Sequence, residues 1–210
     1  MFGMRILNRE DGEFQMLLEV AEEYGRQKIE RTPQKKSGDA TKIVIRSHLL
    51  KKGFNMTLNP DLKIQGSNKR VEWIDSLLLK PNADPNKPIY HSNEVDTVIE
   101  IKNNGVAEQS KKIKEKFDKA REISENFRFA VIVLSERLLS RTPYKHAITE
   151  EKLQNRKYRV FTLIARREYP KYPKYPRGGL YTKDVDLAML EKGELWKTGE
   201  WEKLIAYLKE

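Results

Sequence analysis

The sequence predicts an α/β fold in which a mixed central β-sheet is flanked by α-helices. Two apolar runs, residues 127–134 and 158–165, have the length and continuity of strands buried on both faces. An amphipathic pattern over residues 106–123 predicts a helix before the first of them, and a crossover through such a helix places the strands on either side of it parallel. The predicted order of elements is helix, hairpin, strand, helix, strand, helix, strand.

The N-terminal part of the chain predicts two helices separated by a loop. Residues 11–28 have apolar side chains at helical spacing. The polar segment 31–40 contains proline and glycine and predicts a basic loop. Residues 41–52 fit either a strand or a helix, and the basic residues near their end, followed by Gly53, favour the helix.

A hairpin and a long loop follow. Residues 62–65 and 71–79 flank the turn-forming tetrad 66–69, so we expect them to pair. The second arm carries one acid, Asp75, in its apolar middle. Residues 81–94 contain three prolines and three asparagines and predict a loop.

The strand predicted over residues 95–104 carries two opposite charges on one face. Side chains alternate along a strand, so Val98, Glu100 and Lys102 point one way while Thr97, Ile99 and Ile101 point the other. Ionised groups are rarely buried without partners, and a break in a local pattern often marks a functional site. The alternative is a half-exposed strand with both charges in water.

Asp75 would join this pair if the two strands were neighbours. Two carboxylates suit an oxygen-preferring divalent cation, Mg²⁺ or Mn²⁺. A lysine two residues after Glu100 can reach the attacking water or a phosphate oxygen. The constellation predicts phosphodiester hydrolysis, and the alternative is a structural ion-pair network in an unrelated α/β domain.

These residues also resemble a known motif. Ile74-Asp75, followed by Glu100-Ile101-Lys102, is similar to the motif of the PD-(D/E)XK nuclease superfamily, which includes restriction endonucleases and Holliday junction resolvases. Ile74 stands where the family has proline, and the long interval between the two parts requires an inserted loop. The resemblance implies a restriction endonuclease-like fold, with metal bound by Asp75, Glu100 and the backbone carbonyl of Ile101.

The resemblance implies that further residues assist the site. In the family a glutamate of the first helix often assists metal binding, and Glu19, Glu22 and Glu30 are the candidates. A solvated helix face is the alternative explanation for each. Gln109 stands where some relatives have a supporting glutamine.

Composition limits the function classes. The 210 residues include 41 Lys and Arg against 31 Asp and Glu, a formal net charge of +10 that favours nucleic acid as a partner. The alternative is that the abundant Lys and Glu only solubilise the protein, as in many thermophile proteins. The absence of cysteine excludes disulfides and thiol catalysis, and three isolated histidines argue against zinc. No apolar run predicts a membrane span or a signal peptide, so we expect a cytoplasmic protein, in the host cytoplasm if it is viral.

Two regions are predicted along the chain. Residues 1–168 form the nuclease-like domain, including a short helix over 147–155, and residues 169–210 form a Tyr-Pro-Lys arm and a C-terminal helix. The helix, over residues 198–209, would pack on its own domain or on a dimer partner. The arm is either a basic surface for DNA or a stiff linker. The residues predicted to contact nucleic acid are Lys35, Lys36, Lys171, Lys174 and Arg177.

The function we expect is that of a metal-dependent DNA endonuclease acting as a homodimer, with no nucleotide cofactor. The small catalytic domain favours a structure-specific enzyme that cuts junctions or branches, and a sequence-specific restriction-type enzyme is an alternative. A third possibility is a non-catalytic nucleic-acid-binding protein with a nuclease-like fold. The Lys-rich, cysteine-free composition suggests a viral or archaeal source.

Overall fold

The central feature of the fold is a six-stranded mixed sheet. The structure, a computed structural model, describes residues 4–29, 37–57, 62–65, 69–103, 106–137, 158–167 and 183–210. The strands of this sheet are β1 (Arg5–Ile6), β4 (Ser76–Leu79), β6 (Val95–Lys102), β7 (Arg128–Arg137), β8 (Tyr158–Arg166) and β9 (Leu195–Lys197). Their order is β1-β9-β8-β7-β6-β4, with β6, β7 and β8 parallel and the other pairings antiparallel. The predicted mixed sheet is confirmed.

A second, smaller sheet contains the predicted hairpin. Its strands are β2 (Leu62–Gln65), β3 (Arg70–Ile74) and β5 (Ile89–His91), in the order β3-β2-β5. The antiparallel pairing of β2 with β3 confirms the hairpin. The prediction that residues 81–94 form only a loop was wrong, because β5 lies inside that segment and pairs parallel with β2. A three-residue strand is too short to produce a periodic signal in the sequence.

The predicted second arm of the hairpin, residues 71–79, is not one strand. The chain leaves the small sheet after β3 and enters the main sheet at β4, and Asp75 occupies the break between them. Leu62 pairs with Ile74 and Ile64 with Val71, so β3 has one extra residue against β2. Such a bulge bends a strand and redirects its side chains. Asp75 therefore lies at the junction of two sheets, and the expectation of a mid-strand position was wrong.

Five α-helices are described, besides one turn of 3-10 helix over Ser92–Glu94. They are α1 (Gly12–Ile29), α2 (Ser37–Lys51), α3 (Val106–Ile123), α4 (Lys183–Glu191) and α5 (Glu200–Lys209). The helices predicted over residues 11–28, 106–123 and 198–209 are confirmed to within two residues at each end. The helical alternative for residues 41–52 is also confirmed, and Gly53 follows it with a φ of +85°, a left-handed conformation that glycine adopts without strain. However, α2 begins at Ser37, so the end of the predicted loop is helical.

The main sheet is covered by helices on both faces. Cover is needed on both because β6 carries buried apolar side chains on each face. Ile99 and Ile101 pack with α1, α2 and α5, whose buried side chains include Phe14, Leu17, Ile45, Leu49 and Leu204. Val98 packs on the other face with α3, through Ile113, Phe117 and Ala120. The predicted alternation is confirmed. It places Glu100 and Lys102 on the face that α3 covers.

The C-terminal segment belongs to this same body. Strand β9 pairs with β8, and Trp201, Leu204 and Leu208 of α5 lie in the same core cluster as Ile99. Of the two options for the C-terminal helix, the structure shows packing on its own chain. The division after residue 168 stays a prediction, and the arm and the short helix over 147–155 lie outside the described residues. None of the described helices has the length and hydropathy needed to cross a bilayer.

Candidate active site

Asp75, Glu100 and Lys102 form one cluster. Strand β4 pairs antiparallel with β6, with Ser76 opposite Ile99, and this register brings the residue before β4 beside the charged face of β6. The Nζ of Lys102 lies 2.7 Å from Oδ2 of Asp75 and 2.8 Å from Oε2 of Glu100. Two carboxylates from different strands thus share a single ammonium group. The structure brings the three sequence-predicted residues together, while their catalytic roles stay a prediction.

Both carboxylates are buried. Asp75 is 4% exposed and Glu100 is 1% exposed, and charged side chains are almost never buried to this degree unless they are paired. Lys42 of α2 lies 2.8 Å from Oδ1 of Asp75, and Lys116 of α3 lies 2.9 Å from Oε1 of Glu100. Each of the four carboxylate oxygens therefore has a lysine ammonium within hydrogen-bond distance.

Backbone groups fix the position of Asp75. The backbone N–H of Ile101 donates to Oδ2 at 3.0 Å. The buried guanidinium of Arg46, on α2, donates to the backbone carbonyl of Asp75, also at 3.0 Å. Helix α2 thus contacts this residue at both its side chain and its main chain, which holds the break between β3 and β4 in one geometry.

The pKa shifts follow from burial and from these charges. Burial by itself would raise the pKa of Asp75, but the ammonium groups of Lys102 and Lys42 outweigh it and lower that pKa to about 2. Burial, together with the negative charge of Asp75, raises the pKa of Glu100 against the opposing effect of Lys102 and Lys116. Burial lowers the pKa of Lys102, but the carboxylates of Glu100 and Asp75 raise it above the usual value. Asp75 is the firmly ionised carboxyl, and Glu100 accepts a proton more readily.

The donor set fits a hard divalent cation. Carboxylate oxygens are the ligands that Mg²⁺ and Mn²⁺ prefer, and here two of them converge on one positively charged nitrogen. A cation bound by both carboxylates would take the place of the Lys102 ammonium. Among the described residues there is no group of three or more His, Asp or Glu side chains that could hold a metal. The described chain thus offers a two-carboxylate site.

The remaining predicted residues are not in this cluster or are not described. Glu19 pairs with His48 of α2 at 2.9 Å, and Glu22 is exposed on α1. Glu30 lies outside the described residues, and Gln109 is described only as part of the α3 backbone. The predicted DNA contacts also lie outside the described residues: Lys35, Lys36, Lys171, Lys174 and Arg177. Their roles stay predictions.

Sequence reasoning did not include Lys42 and Lys116 in the site. A signal for both is present in the helical periodicity. Lys116 is three residues after Ile113 and four before Ala120, so it shares the buried stripe of α3. In the same way, Lys42 is three residues before Ile45, a buried residue of α2. A lysine in phase with a buried stripe needs a buried partner, and here the partners are the two carboxylates.

Comparison with known proteins shows which fold the chain has. No family model matches the chain, and no curated protein sequence matches it. Among solved structures, P. aeruginosa ATCC27853 NucC in its cAAA-bound form superposes with a TM-score of 0.53 at 13% identity, over 97% of this chain and 91% of NucC. The chain shares the NucC fold. E. coli MS115-1 NucC, also cAAA-bound, gives a TM-score of 0.51 at 11% identity, over 97% of this chain and 92% of its own. The six-stranded mixed sheet with flanking helices is thus the fold of the two NucC structures.

Proposed function

We propose that this protein is a metal-dependent endonuclease that hydrolyses phosphodiester bonds in DNA. The observation that carries the proposal is the position of Lys102 Nζ, within 2.8 Å of both Asp75 and Glu100. Two further observations support it. The fold is the nuclease fold of NucC, and the net charge of +10 suits a polyanionic substrate.

Asp75 and Glu100 are the residues that would hold Mg²⁺ or Mn²⁺, together with the backbone carbonyl of Ile101. Bound there, the divalent ion supplies polarisation of the scissile phosphate and a lower pKa for the attacking water. The low pKa of Asp75, about 2, keeps this ligand ionised at neutral pH. The Ile101 N–H holds the same carboxylate in position at 3.0 Å.

Lysines supply the remaining chemistry. If the carboxylates held the metal, the protonated Lys102 would leave its present position and would orient the attacking water or stabilise the charge that develops on the phosphorane. Lys42 and Lys116 pair with the outer oxygens, Oδ1 of Asp75 and Oε1 of Glu100. We expect these two pairs to keep both carboxylates aimed at one point while Lys102 moves.

The finer proposal is that a homodimer in the cytoplasm cuts branched or junction DNA. It rests on the resemblance to junction resolvases and on the small size of the chain, which suit recognition of DNA structure. The expectation that no nucleotide cofactor is needed also stays a prediction. Both NucC structures are cAAA-bound forms, so cAAA is the ligand with which to test it.

The test is a cleavage assay on labelled duplex, single-stranded, flap and four-way-junction DNA, with Mg²⁺, Mn²⁺ or EDTA and with or without cAAA. Glu100→Gln is compared with the control variant Glu122→Gln. In the wild type the carboxylate of Glu122 pairs with Lys69 on the exposed surface. Metal-dependent cutting that is lost in Glu100→Gln and kept in Glu122→Gln supports the proposal. Cutting that survives Glu100→Gln contradicts the site assignment, and equal rates on all four substrates contradict the structure specificity.

A second candidate is DNA binding without cleavage. It is favoured by the lysines themselves, because each oxygen of Asp75 and Glu100 has an ammonium partner within 2.9 Å. Such a protein would bind DNA equally well in Mg²⁺ and in EDTA. Binding of that kind, with no cutting of any substrate, would replace the first proposal by this one.

A further inference from the structure

Trp73 is exposed beside the site in an unusual backbone conformation. It is 65% exposed, more than any other large hydrophobic residue in the described part of the chain. Its φ is +64°, which is a true outlier for a bulky side chain, and such strain persists only where surrounding contacts impose it. Trp73 lies in the bulged stretch of β3, and bulges beside active sites redirect side chains.

The backbone of Trp73 is tied to the catalytic cluster. Its carbonyl accepts a hydrogen bond from Nζ of Lys116, the same ammonium that lies 2.9 Å from Glu100. Asp75 follows two residues later. The backbone that carries the exposed indole is therefore held by Lys116, the lysine that also pairs with Glu100.

A basic groove of about 480 Å³ runs past this indole, between β3 and α3. Four of its lining residues are basic, Arg70, Lys112, Lys116 and Lys119, and two are acidic, Glu72 and Glu115. Arg70 pairs with Glu72 at 3.2 Å and Lys116 with Glu100 at 2.9 Å. Lys112 and Lys119 are the lining residues whose positive charge suits phosphate groups. An apolar aromatic face next to them suits a nucleobase, since stacking platforms beside basic grooves are how proteins hold single-stranded nucleic acid.

We infer that Trp73 stacks on an unpaired nucleobase of the DNA strand that enters the site. The phosphates of that strand lie along the basic residues of the groove and lead to Asp75 and Glu100. A base inside a duplex has no free face, so this contact requires a single-stranded segment or an extruded base next to the cut. The inference rests on the proposed function and names the substrate class of the same site.

The first experiment measures binding of a labelled single-stranded oligonucleotide in EDTA, so that no hydrolysis occurs. Trp73→Ala is compared with Trp73→Phe, which keeps an aromatic face. The second control is Ile6→Ala, because Ile6 is an apolar residue that is 54% exposed on β1, at the far edge of the main sheet. Loss of one stacked base is expected to weaken binding by roughly 5- to 160-fold in Trp73→Ala. We expect Trp73→Phe and Ile6→Ala to bind like the wild type.

The second experiment locates the base. An abasic nucleotide is placed at each position of the oligonucleotide in turn, and wild type and Trp73→Ala are titrated with each version. One position should weaken binding to the wild type by about the same factor as Trp73→Ala and have no effect on that variant. Equal binding by wild type and Trp73→Ala, or abasic effects of the same size in both, would overturn the inference. So would a change in oligomeric state with unchanged DNA affinity, because a second protein copy would then cover Trp73.

These measurements separate the two proposals. If the wild type never cuts DNA but its affinity depends on Trp73 and on one base, the stacking role stands and the endonuclease proposal fails. If the wild type cuts DNA and Trp73→Ala binds and cuts as well as the wild type, the stacking role fails and the endonuclease proposal stands.

Discussion

Lys116 of α3 pairs with Glu100 of β6, with 2.9 Å between Nζ and Oε1. Helix α3 lies over this face of the sheet because Phe117, the next residue, packs against the rings of Phe129 and Tyr158, with centroids 4.8 and 5.2 Å apart. The apolar packing of the helix thus delivers a charge to a carboxylate that is 1% exposed. The consequences of this pair and of the cluster around it can be measured.

The first prediction concerns the stability that Lys116 provides. Lys116→Met leaves one oxygen of a buried carboxylate without its charged partner, and hydrogen bonds to charged groups contribute about 1.5 to 3 kcal/mol. We expect a loss of this order in the free energy of unfolding, measured by urea denaturation. Lys114→Met is the control, because its pair with Asp118 is exposed and of the kind worth about 0.5 kcal/mol. Equal losses in the two variants would contradict the prediction.

The second prediction concerns acid stability. The pKa of Asp75 is about 2 in the folded state against 3.8 unfolded, so the unfolded state binds its proton first as the pH falls. The resulting stability, on the order of 2 kcal/mol, is present above about pH 4 and disappears towards pH 2. The difference in unfolding free energy between wild type and Asp75→Asn should therefore shrink over this range. A difference that is independent of pH would show that the carboxyl does not titrate in this way.

The third prediction is a test of metal binding without catalysis. Mg²⁺ or Mn²⁺ that binds only the folded state should stabilise the wild type, by about 2.7 kcal/mol at one hundred times the dissociation constant. Glu100→Gln should lose most of this gain, because one of two ligand carboxylates is gone. Thermal denaturation at matched ionic strength measures it, with Glu122→Gln as the control. An equal metal effect on Glu100→Gln would place the ion elsewhere.

The fourth prediction concerns the role of Lys102 in the reaction. Replacing a preorganised charge that stabilises a transition state typically costs about 10²- to 10³-fold in rate, and we expect this for Lys102→Ala in single-turnover cleavage. Lys192→Ala removes a lysine that follows α4, away from the cluster, and should cut at the wild-type rate. Folding of Lys102→Ala is checked by circular dichroism. A folded Lys102→Ala protein that cuts normally would remove Lys102 from the mechanism.

The parts of the site that lie on one strand were predictable. Glu100 and Lys102 are two residues apart on β6, and the alternation of side chains along a strand places them on one face whatever the rest of the fold does. The bounds of α3 and the apolar strands were predictable for the same reason, since helical and strand periodicities are local. Asp75 could be added because the hairpin and the strand were expected to be neighbours.

The contacts between distant segments were not predictable. The break of the chain at Asp75 depends on β3 joining a second sheet with β2 and β5. Strands β1 and β9 are two and three residues long, too short for a periodic pattern, and they exist because they extend the edge of the main sheet.

The sequence by itself determined the helices and strands and the shared face of Glu100 and Lys102, because these follow from spacing along the chain. The tertiary structure decided which of the 41 basic residues reach the carboxylates. The helical phase of Lys42 and Lys116 indicates that each faces a buried stripe, but it does not name the partner, and only the packing of α2 and α3 on the sheet brings their ammonium groups within 2.9 Å of Asp75 and Glu100. The residue type determines that a side chain is charged, whereas the fold determines which group that charge pairs with.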